Sequence, residues 1–135
     1  MDCIFCKIVA GQIPCDKVYE DEHVVAFLDI APITRGHTLM VPKSHAQDLA
    51  TTPAEVVDAM MRTLKKVAPA VMRATGAPAF NVGINNGAAA GQVVMHTHFH
   101  LIPRSAGDGL QPWPHLQYGP GESRQLAETI AAALT

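Results

Sequence analysis

The sequence has no long apolar run, no strong excess of either charge and few aromatic residues. No stretch approaches the roughly 20 apolar residues that a membrane-spanning helix needs, which argues against a membrane protein. The 10 basic residues are balanced by 12 acidic ones, and the net charge is −2. Such a balance offers no positive field for a nucleic-acid backbone or an anionic membrane surface. We therefore expect neither nucleic acid nor a membrane as a partner.

Cysteine is scarce as well, with 3 residues in the chain. An odd count cannot form a fully paired disulfide framework. The start "MDCIFCKIVAGQIP" lacks the basic region and the cleavage site of a secretory signal. We expect a reduced, cytoplasmic setting in which thiols can bind metal. Cys15 is interpreted as a structural residue.

The 135 residues, 48% of them apolar, suit a single domain spanning 1–135. Runs rich in β-branched and aromatic residues predict five strands. Most of the links between them are too short for a crossover, so we expect antiparallel pairing and an α+β fold. In chain order the strand segments are two in "KVYEDEHVVAFLDI", separated by the turn at Glu20 to Glu22, then "GHTLMVPK", "AFNVGIN" and "VVMHTHFHLIPR".

Three segments have helical patterns. The segment "CIFCKIV" predicts one or two turns that end at Gly11. A long helix is expected to start at a Thr52 cap and to end at Gly76, with a kink or break near Lys65 to Lys66 because Pro69 lies inside it. A Pro- and Gly-rich tail follows Arg104, and "SRQLAETIAAALT" predicts a short C-terminal helix capped by Ser123.

The most informative motif is "HTHFH", in which His96, His98 and His100 occupy alternate positions. Side chains alternate across a strand, so the three imidazoles are expected on one polar face. Such histidines suit either a metal site or phosphate chemistry by a nucleophile and its hydrogen-bond donors. Ligands spaced by the pleat cannot all reach one ion at about 2.1 Å, so at most two of the three are expected to share a metal.

The spacing of Cys3 and Cys6 is that of half a zinc site. No second pair of this kind exists in the chain, so histidines would have to complete the site. His45 and one member of the triplet are available for this. A redox pair and two buried cysteines are the alternative interpretations.

The loop "NNGAAAGQ" before the triplet could bind an anion. Gly87 and Gly91 allow close approach to backbone N–H groups, and Asn85 and Gln92 add side-chain amides. The loop contains no lysine and does not have P-loop spacing. By itself it is equally consistent with a plain hairpin connection.

Together these motifs resemble the histidine triad (HIT) superfamily, in particular its zinc-containing bacterial Hint-like branch. The segment "HTHFHLI" matches the alternating histidine signature, with Thr97 at one apolar position. The similarity extends over nearly the whole chain, through "CIFCKI", "FLDIAPITRGHTLMVPKSH", "FNVGINNGAAAGQ" and "PWPHLQYG".

The resemblance implies an antiparallel sheet of about five strands with one long helix and a short C-terminal helix. It also implies a homodimer formed through the strand before the triad and the long helix. The implied activity is nucleotidyl hydrolase or transferase chemistry on a purine nucleoside 5′-phosphate derivative, with one structural Zn²⁺ per chain.

Site roles also follow from the resemblance. His98 would be the nucleophile, assisted by His100, Gln92 and Asn85 around the phosphate, with His37 in support. Asp29 would hold the ribose, Ile30 would contact the base, and Gly91, Val93 and Trp113 would line the rest of the site. The implied zinc ligands are Cys3, Cys6, His45 and His96.

The sequence departs from the pattern at Val93, where many relatives carry Ser or Thr, and at Pro69 in the long helix.

We expect hydrolysis of nucleoside 5′-phosphoramidates through a nucleotidyl-histidine. The alternatives are a dinucleoside polyphosphate hydrolase, a nucleotide-binding module with weak catalysis, and a hydrolase that uses zinc directly. The last of these conflicts with a zinc ion held by four protein ligands, which has no open position for water.

Overall fold

The computed structural model describes residues 2–134, which form an antiparallel five-stranded sheet and three helices. The strand order is β1-β2-β3-β5-β4, and each neighbouring pair is antiparallel. The predicted α+β fold is confirmed. The elements are α1 (Ile4–Val9), β1 (Lys17–Glu20), β2 (Val24–Leu28), β3 (Thr38–Pro42), α2 (Ala54–Thr75), β4 (Ala79–Gly83), a 3-10 turn (Ala88–Ala90), β5 (Phe99–Arg104) and α3 (Glu122–Ala133).

The two faces of the sheet are covered differently. Side chains alternate along the strands, so each strand contributes to both faces. Helix α2 packs on one face, where Met60 and Leu64 lie against Met40, Phe99 and Leu101. The short helix α1 covers only part of the other face, around Phe5, Phe27 and Leu39. The rest of that second face remains open to form a cleft.

A kink or a break is expected near 65–66 from the sequence. Helix α2 is continuous over 22 residues, so it does not break there. Pro69 lies on the exposed side of the helix. Proline has no N–H to donate to the carbonyl four residues earlier. On the exposed side of the helix, that carbonyl can bond to water instead. The predicted Thr52 cap is also wrong: Pro53 is the N-cap, and the Thr52 hydroxyl donates to the carbonyl of Asp48 at 2.6 Å.

The last strand begins later than predicted, and the last helix begins earlier. Strand β5 starts at Phe99, so only His100 of the triplet lies in it. Helix α3 starts at Glu122 with Gly121 as the N-cap, and Ser123 lies inside its first turn. None of the α3 side chains is buried. No helix within residues 2–134 has the length and apolarity needed to cross a membrane.

Candidate functional site

An apolar cleft of about 330 Å³ opens on the sheet face opposite α2. Ile8, Phe27, Leu28 and Ile30 line its apolar part. Its polar end is formed by Asn85, His98 and His100, together with Asp29. The cleft therefore combines an apolar slot with a group of imidazoles, an amide and a carboxylate. We refer to it as the histidine cleft.

His98 is held with one ring nitrogen free. Its Nδ1 lies 2.7 Å from the carbonyl oxygen of His96, which can only accept, so Nδ1 carries the proton and donates. In the neutral ring Nε2 is then unprotonated. The Phe5 ring packs edge-on against His98, with the ring centroids 4.9 Å apart. These two contacts fix both the tautomer and the plane of the imidazole, and they leave Nε2 as a potential nucleophile.

His100 has the opposite tautomer, because of His37. The backbone N–H of Ile33 donates to Nδ1 of His37, so His37 carries its proton on Nε2. That N–H donates to Nδ1 of His100 across 2.9 Å. A neutral His100 is then protonated on Nε2. The two cleft histidines thus offer different groups, a lone pair from His98 and an N–H donor from His100.

Burial keeps these imidazoles neutral. Removal from water lowers the pKa of His37 and His98 below the usual value, and it lowers the pKa of His100 to about 4, with His98 and His37 adding to the effect. The nearby Asp29 carboxylate opposes these shifts without reversing them. At neutral pH the unprotonated His98 and the Nε2-protonated His100 are therefore the prevailing forms.

The loop before the triplet places one amide at the cleft and buries the other. Asn85 lines the cleft, and its side chain makes no hydrogen bond with another residue of the described chain. Gln92 is buried, and its amide bonds to the backbone of Gly87, Gln47 and Val94. The amide of Gln92 therefore braces the loop, whereas that of Asn85 is free to contact a bound group.

Gly91 and Val93 lie at the same edge of the cleft. Gly91 has a φ of 95°, a conformation that side-chain-bearing residues rarely adopt. The Val93 side chain is 88% exposed. The N–H groups of Val93 and Val94 donate no hydrogen bond within residues 2–134. The edge therefore offers backbone donors but no hydroxyl.

Asp29 and Ile30 lie at the mouth of the cleft, after β2. One Asp29 oxygen accepts from the N–H of Ala31, and the other lies 3.7 Å from Nε2 of His37. Ile30 is 94% exposed. A carboxylate lies here beside an exposed apolar side chain. This combination suits a ligand that carries hydroxyl groups at one end and a flat apolar ring at the other.

A second cluster of ligand atoms lies next to the cleft. One nitrogen or sulfur from each of four residues falls within 4.8 Å of the others, and these residues are Cys3, Cys6, His45 and His96. The Sγ of Cys3 is 3.4 Å from His96 Nδ1, the Sγ of Cys6 is 3.4 Å from His45 Nδ1, and the two Nδ1 atoms are 3.1 Å apart. Tetrahedral zinc with N and S ligands has ligand–ligand distances of about 3.3–3.8 Å. The cluster fits such an ion closely.

Neighbouring contacts prepare His96 for that role. Its Nε2 lies 2.8 Å from the carbonyl of Pro42 and donates to it, so Nδ1 presents its lone pair to the cysteines. The N–H of Cys6 lies 3.4 Å from the sulfur of Cys3. The carbonyl of His96 also accepts from His98. One residue thus belongs to both the metal-type cluster and the cleft.

A second pocket, of about 630 Å³, shares Asn85 and His100 with the histidine cleft. Trp113 lines it and is 85% exposed. We call it the tail pocket, because Leu110 to Trp113 of the tail form one of its walls. A bound group that spans both pockets would pass directly over His100.

The sequence predicted which histidines come together but not their surroundings. His96 and His98 precede β5 and are both buried, so the expectation that all three imidazoles lie along one polar strand face is wrong. His98 and His100 do share the cleft, with ring centroids 4.9 Å apart, whereas His96 joins the cysteine cluster. Sequence reasoning also missed Phe5, which sits between the two cysteines, and the pair Arg104 and Asp108 beside the tail pocket.

A family model described as "HIT domain" matches residues 10–107. Among curated proteins, an adenosine 5′-monophosphoramidase of Schizosaccharomyces pombe is 42% identical over 99% of both chains. An adenylylsulfatase of Arabidopsis thaliana is 49% identical over 81% of this chain, which spans only 55% of that longer relative.

Solved structures agree along the whole chain. A member of the HIT family from Bacillus subtilis has a TM-score of 0.92 and 41% identity, covering 100% of this chain and 99% of its own. A Zn-bound histidine triad family protein from Mycobacterium smegmatis has a TM-score of 0.78 and 38% identity over 99% of both chains. The fold and the order of its elements are therefore shared with these proteins.

Proposed function

The chain belongs to the HIT domain family, and from that premise we propose that it hydrolyses nucleoside 5′-phosphoramidates through a covalent nucleotidyl-histidine intermediate. The observation that carries the proposal is the free Nε2 of His98 at the polar end of an apolar cleft. The phosphoramidase relative, 42% identical over nearly its whole length, supports the substrate class.

In the bound substrate the base occupies the apolar part of the histidine cleft, near Ile30. Asp29 accepts hydrogen bonds from the ribose hydroxyls. The phosphate then lies at the polar end, between Asn85 and the two cleft histidines. A purine provides enough apolar surface for the slot, and the apolar lining selects for ring area more than for a particular base edge.

The first chemical step forms a bond between Nε2 of His98 and phosphorus and breaks the bond from phosphorus to the leaving nitrogen. The amine departs with the bonding electrons and takes up a proton from solvent water. The N–H on Nε2 of His100 donates to a phosphoryl oxygen, and so does the Asn85 amide, as negative charge builds there. Gln92 acts indirectly, because its amide braces the loop that carries these groups.

In the second step water attacks phosphorus and releases a proton to solvent, and the bond from phosphorus to His98 breaks. The products are the nucleoside monophosphate and a histidine restored to its starting tautomer by the His96 carbonyl. His37 contributes in both steps by holding His100 as a donor. His98 and His100 therefore act from hydrogen bonds that are already present in the protein.

We also propose that the four-residue cluster holds one structural Zn²⁺ per chain. Two thiolates and two imidazoles, all of them protein ligands, leave no position for a catalytic water. The Zn-bound relative from Mycobacterium smegmatis supports this assignment. The metal would fix His96 and, through its carbonyl, the ring of His98.

A homodimer is proposed through β4 and α2. Strand β4 is an edge strand whose Phe80 and Val82 are exposed, and Met61 of α2 is exposed as well. Unpaired edges and exposed apolar groups are typical of surfaces that pair with a second copy. Sedimentation should give a dimer, and Phe80→Glu should shift it towards monomer; a monomeric parent protein would contradict the proposal.

The test of function is a substrate panel with matched histidine variants. An adenosine phosphoramidate should turn over much faster than adenylyl sulfate or a diadenosine polyphosphate. His98→Ala should abolish turnover but keep nucleotide affinity, whereas His23→Ala, at an exposed histidine away from the cleft, should change neither. A faster diadenosine polyphosphate reaction would favour that rival activity. Binding of the nucleotide without turnover of any panel member would indicate a binding module.

A further inference from the structure

Arg104 and Asp108 form a two-pronged ion pair beside the tail pocket. The Nε of Arg104 lies 2.6 Å from one Asp108 oxygen, and a terminal nitrogen lies 3.1 Å from the other. The remaining terminal nitrogen of Arg104 donates to the side-chain oxygen of Asn81 at 2.7 Å. All three side chains are thus tied together at the end of β5, and Arg104 and Asn81 line the pocket.

Asp108 also organises the backbone of the tail. Its carboxylate accepts from the N–H groups of Ser105 and Leu110, at 3.3 and 3.1 Å. The hydrogen bond from Arg104 holds the pKa of Asp108 well below its usual range. The carboxylate is therefore ionised at any ordinary pH, so both members of the ion pair are charged.

The pair decides the charge of the tail pocket. Apart from Arg104 and His100, the described residues that line it carry apolar or amide side chains, or none. His100 is neutral at pH 7, because its pKa is about 4. Arg104 is thus the one fixed charge of the lining, and Asp108 neutralises it.

We propose that Asp108 determines the charge selectivity of the leaving-group site: by occupying Arg104, it makes the tail pocket favour neutral amines over amines that carry a carboxylate. The inference rests on the proposed function and adds one premise to it: the amine leaves towards the tail pocket, which shares Asn85 and His100 with the histidine cleft. It adds two specificity residues that do not touch the reacting atoms.

The register of the sheet gives the distance between His100 and the guanidinium of Arg104. His100 pairs with Gly83, and Ile102, one side chain further along the same face, pairs with Asn81. These two positions are about 7 Å apart along the strand. Since Arg104 bonds to Asn81, its guanidinium lies near the second position. A six-carbon amine can therefore carry a terminal charge from the phosphate to the guanidinium.

The proposed dimer borders this pocket. Phe80 and Val82, the side chains offered to a second copy, alternate with Asn81 along β4. Val82 also lines the tail pocket, so the test uses the protein in its native assembly state.

The test compares three adenosine phosphoramidates that differ only in the far end of a six-carbon amine: hexylamine, 6-aminohexanoate and 1,6-diaminohexane. Asp108→Asn keeps the shape and one of the two oxygens that accept from the backbone, but it removes the charge. It should raise kcat/KM for the carboxylate amine relative to hexylamine by roughly tenfold, the effect of one charge-assisted hydrogen bond. Arg104→Met exposes Asp108 and should instead favour the diamine.

Opposite shifts of the kcat/KM ratios in the two variants support the inference. Structural damage would change the ratios in a way that does not depend on which of the two charges is removed. Unchanged ratios, or shifts in the same direction, overturn it. The chain has 1 tryptophan, so acrylamide quenching of Trp113 reports whether either variant displaces the tail. If the unmutated protein turns over none of the three substrates, the proposed function fails; if it turns them over and the ratios do not respond, only this inference fails.

Discussion

Nε2 of His37 donates a hydrogen bond to Nδ1 of His100 across 2.9 Å, and the His37 side chain is only 2% exposed. This contact sets which nitrogen of His100 faces the cleft. The contact from His98 to the His96 carbonyl sets the complementary tautomer in the neighbouring ring. Two imidazoles of the same residue type thereby receive different chemical roles from their hydrogen-bond partners.

Replacement of His37 by Phe should slow turnover without a large effect on nucleotide binding. The ring volume is roughly preserved, but His100 loses the donor that fixes its tautomer. We expect kcat to fall about ten- to hundredfold, which corresponds to about 1–3 kcal/mol for one buried hydrogen bond. Steady-state kinetics and AMP titration measure the two quantities. Equal losses in kcat and AMP affinity would indicate that His37 only maintains the fold.

The zinc proposal predicts that the bound metal raises Tm. Of the three cysteines, only Cys3 and Cys6 should be needed for this effect. Cys3→Ser and Cys6→Ser should each remove one equivalent of zinc and lower Tm by roughly 10–20 °C. Cys15→Ser is the matched control and should retain both zinc and Tm. Elemental analysis and thermal unfolding give the answer. Equal zinc content in all three variants would exclude this cluster as the metal site.

The lowered pKa of His100 predicts a loss of stability in mild acid. In the unfolded chain this histidine titrates near 6.5, whereas in the folded protein its pKa is about 4. Between these values the unfolded state binds more protons, so the contribution to stability falls as pH decreases from 6.5 towards 4. Other groups titrate in the same range, so the comparison must isolate His100.

The isolating comparison is with His100→Asn. The free energy of unfolding of this variant, measured in denaturant at several pH values, should fall less steeply over this window than that of the unmutated protein. Above pH 7 the difference between the two proteins should become constant. Parallel curves throughout the window would show that burial does not lower the pKa of this residue.

Val93 marks a place where a hydroxyl could improve catalysis. The side chain is exposed at the cleft edge, where a bound phosphate would meet it. Val93→Thr keeps the shape and adds one hydrogen-bond donor, so kcat/KM should rise by about tenfold. Val93→Ala controls for loss of the methyl groups and should give no increase. An unchanged rate in the Thr variant would place the phosphate away from this residue.

Local patterns predicted the sheet, whereas the grouping of the site residues came from the resemblance to the HIT superfamily. Alternating apolar residues marked the strands, and the spacing of Cys3 and Cys6 marked the metal-type cluster. The start of β5 was not predictable in this way, since "VVMHTHFH" alternates like a strand throughout. The backbone at His96 instead follows its side-chain contacts with Pro42 and the cysteines.

Long-range contacts account for the other differences. Thr52 looked like a helix cap, but its hydroxyl is 2.7 Å from that of Thr97, a partner that no local pattern reveals. The amide of Gln92 turned inward to the backbone of residue 47 for the same reason. Arg104 and Asp108 have an ordinary i, i+4 spacing, and only the fold shows that they border a pocket.

The central claim is that His98 attacks phosphorus and forms a covalent intermediate. The stereochemical course at phosphorus tests it most directly, with a substrate made chiral at phosphorus by sulfur and isotopic oxygen. Two successive displacements, first by His98 and then by water, each invert the configuration, so the account predicts overall retention. Overall inversion would show that water attacks the substrate directly, and it would contradict the nucleophilic role of His98.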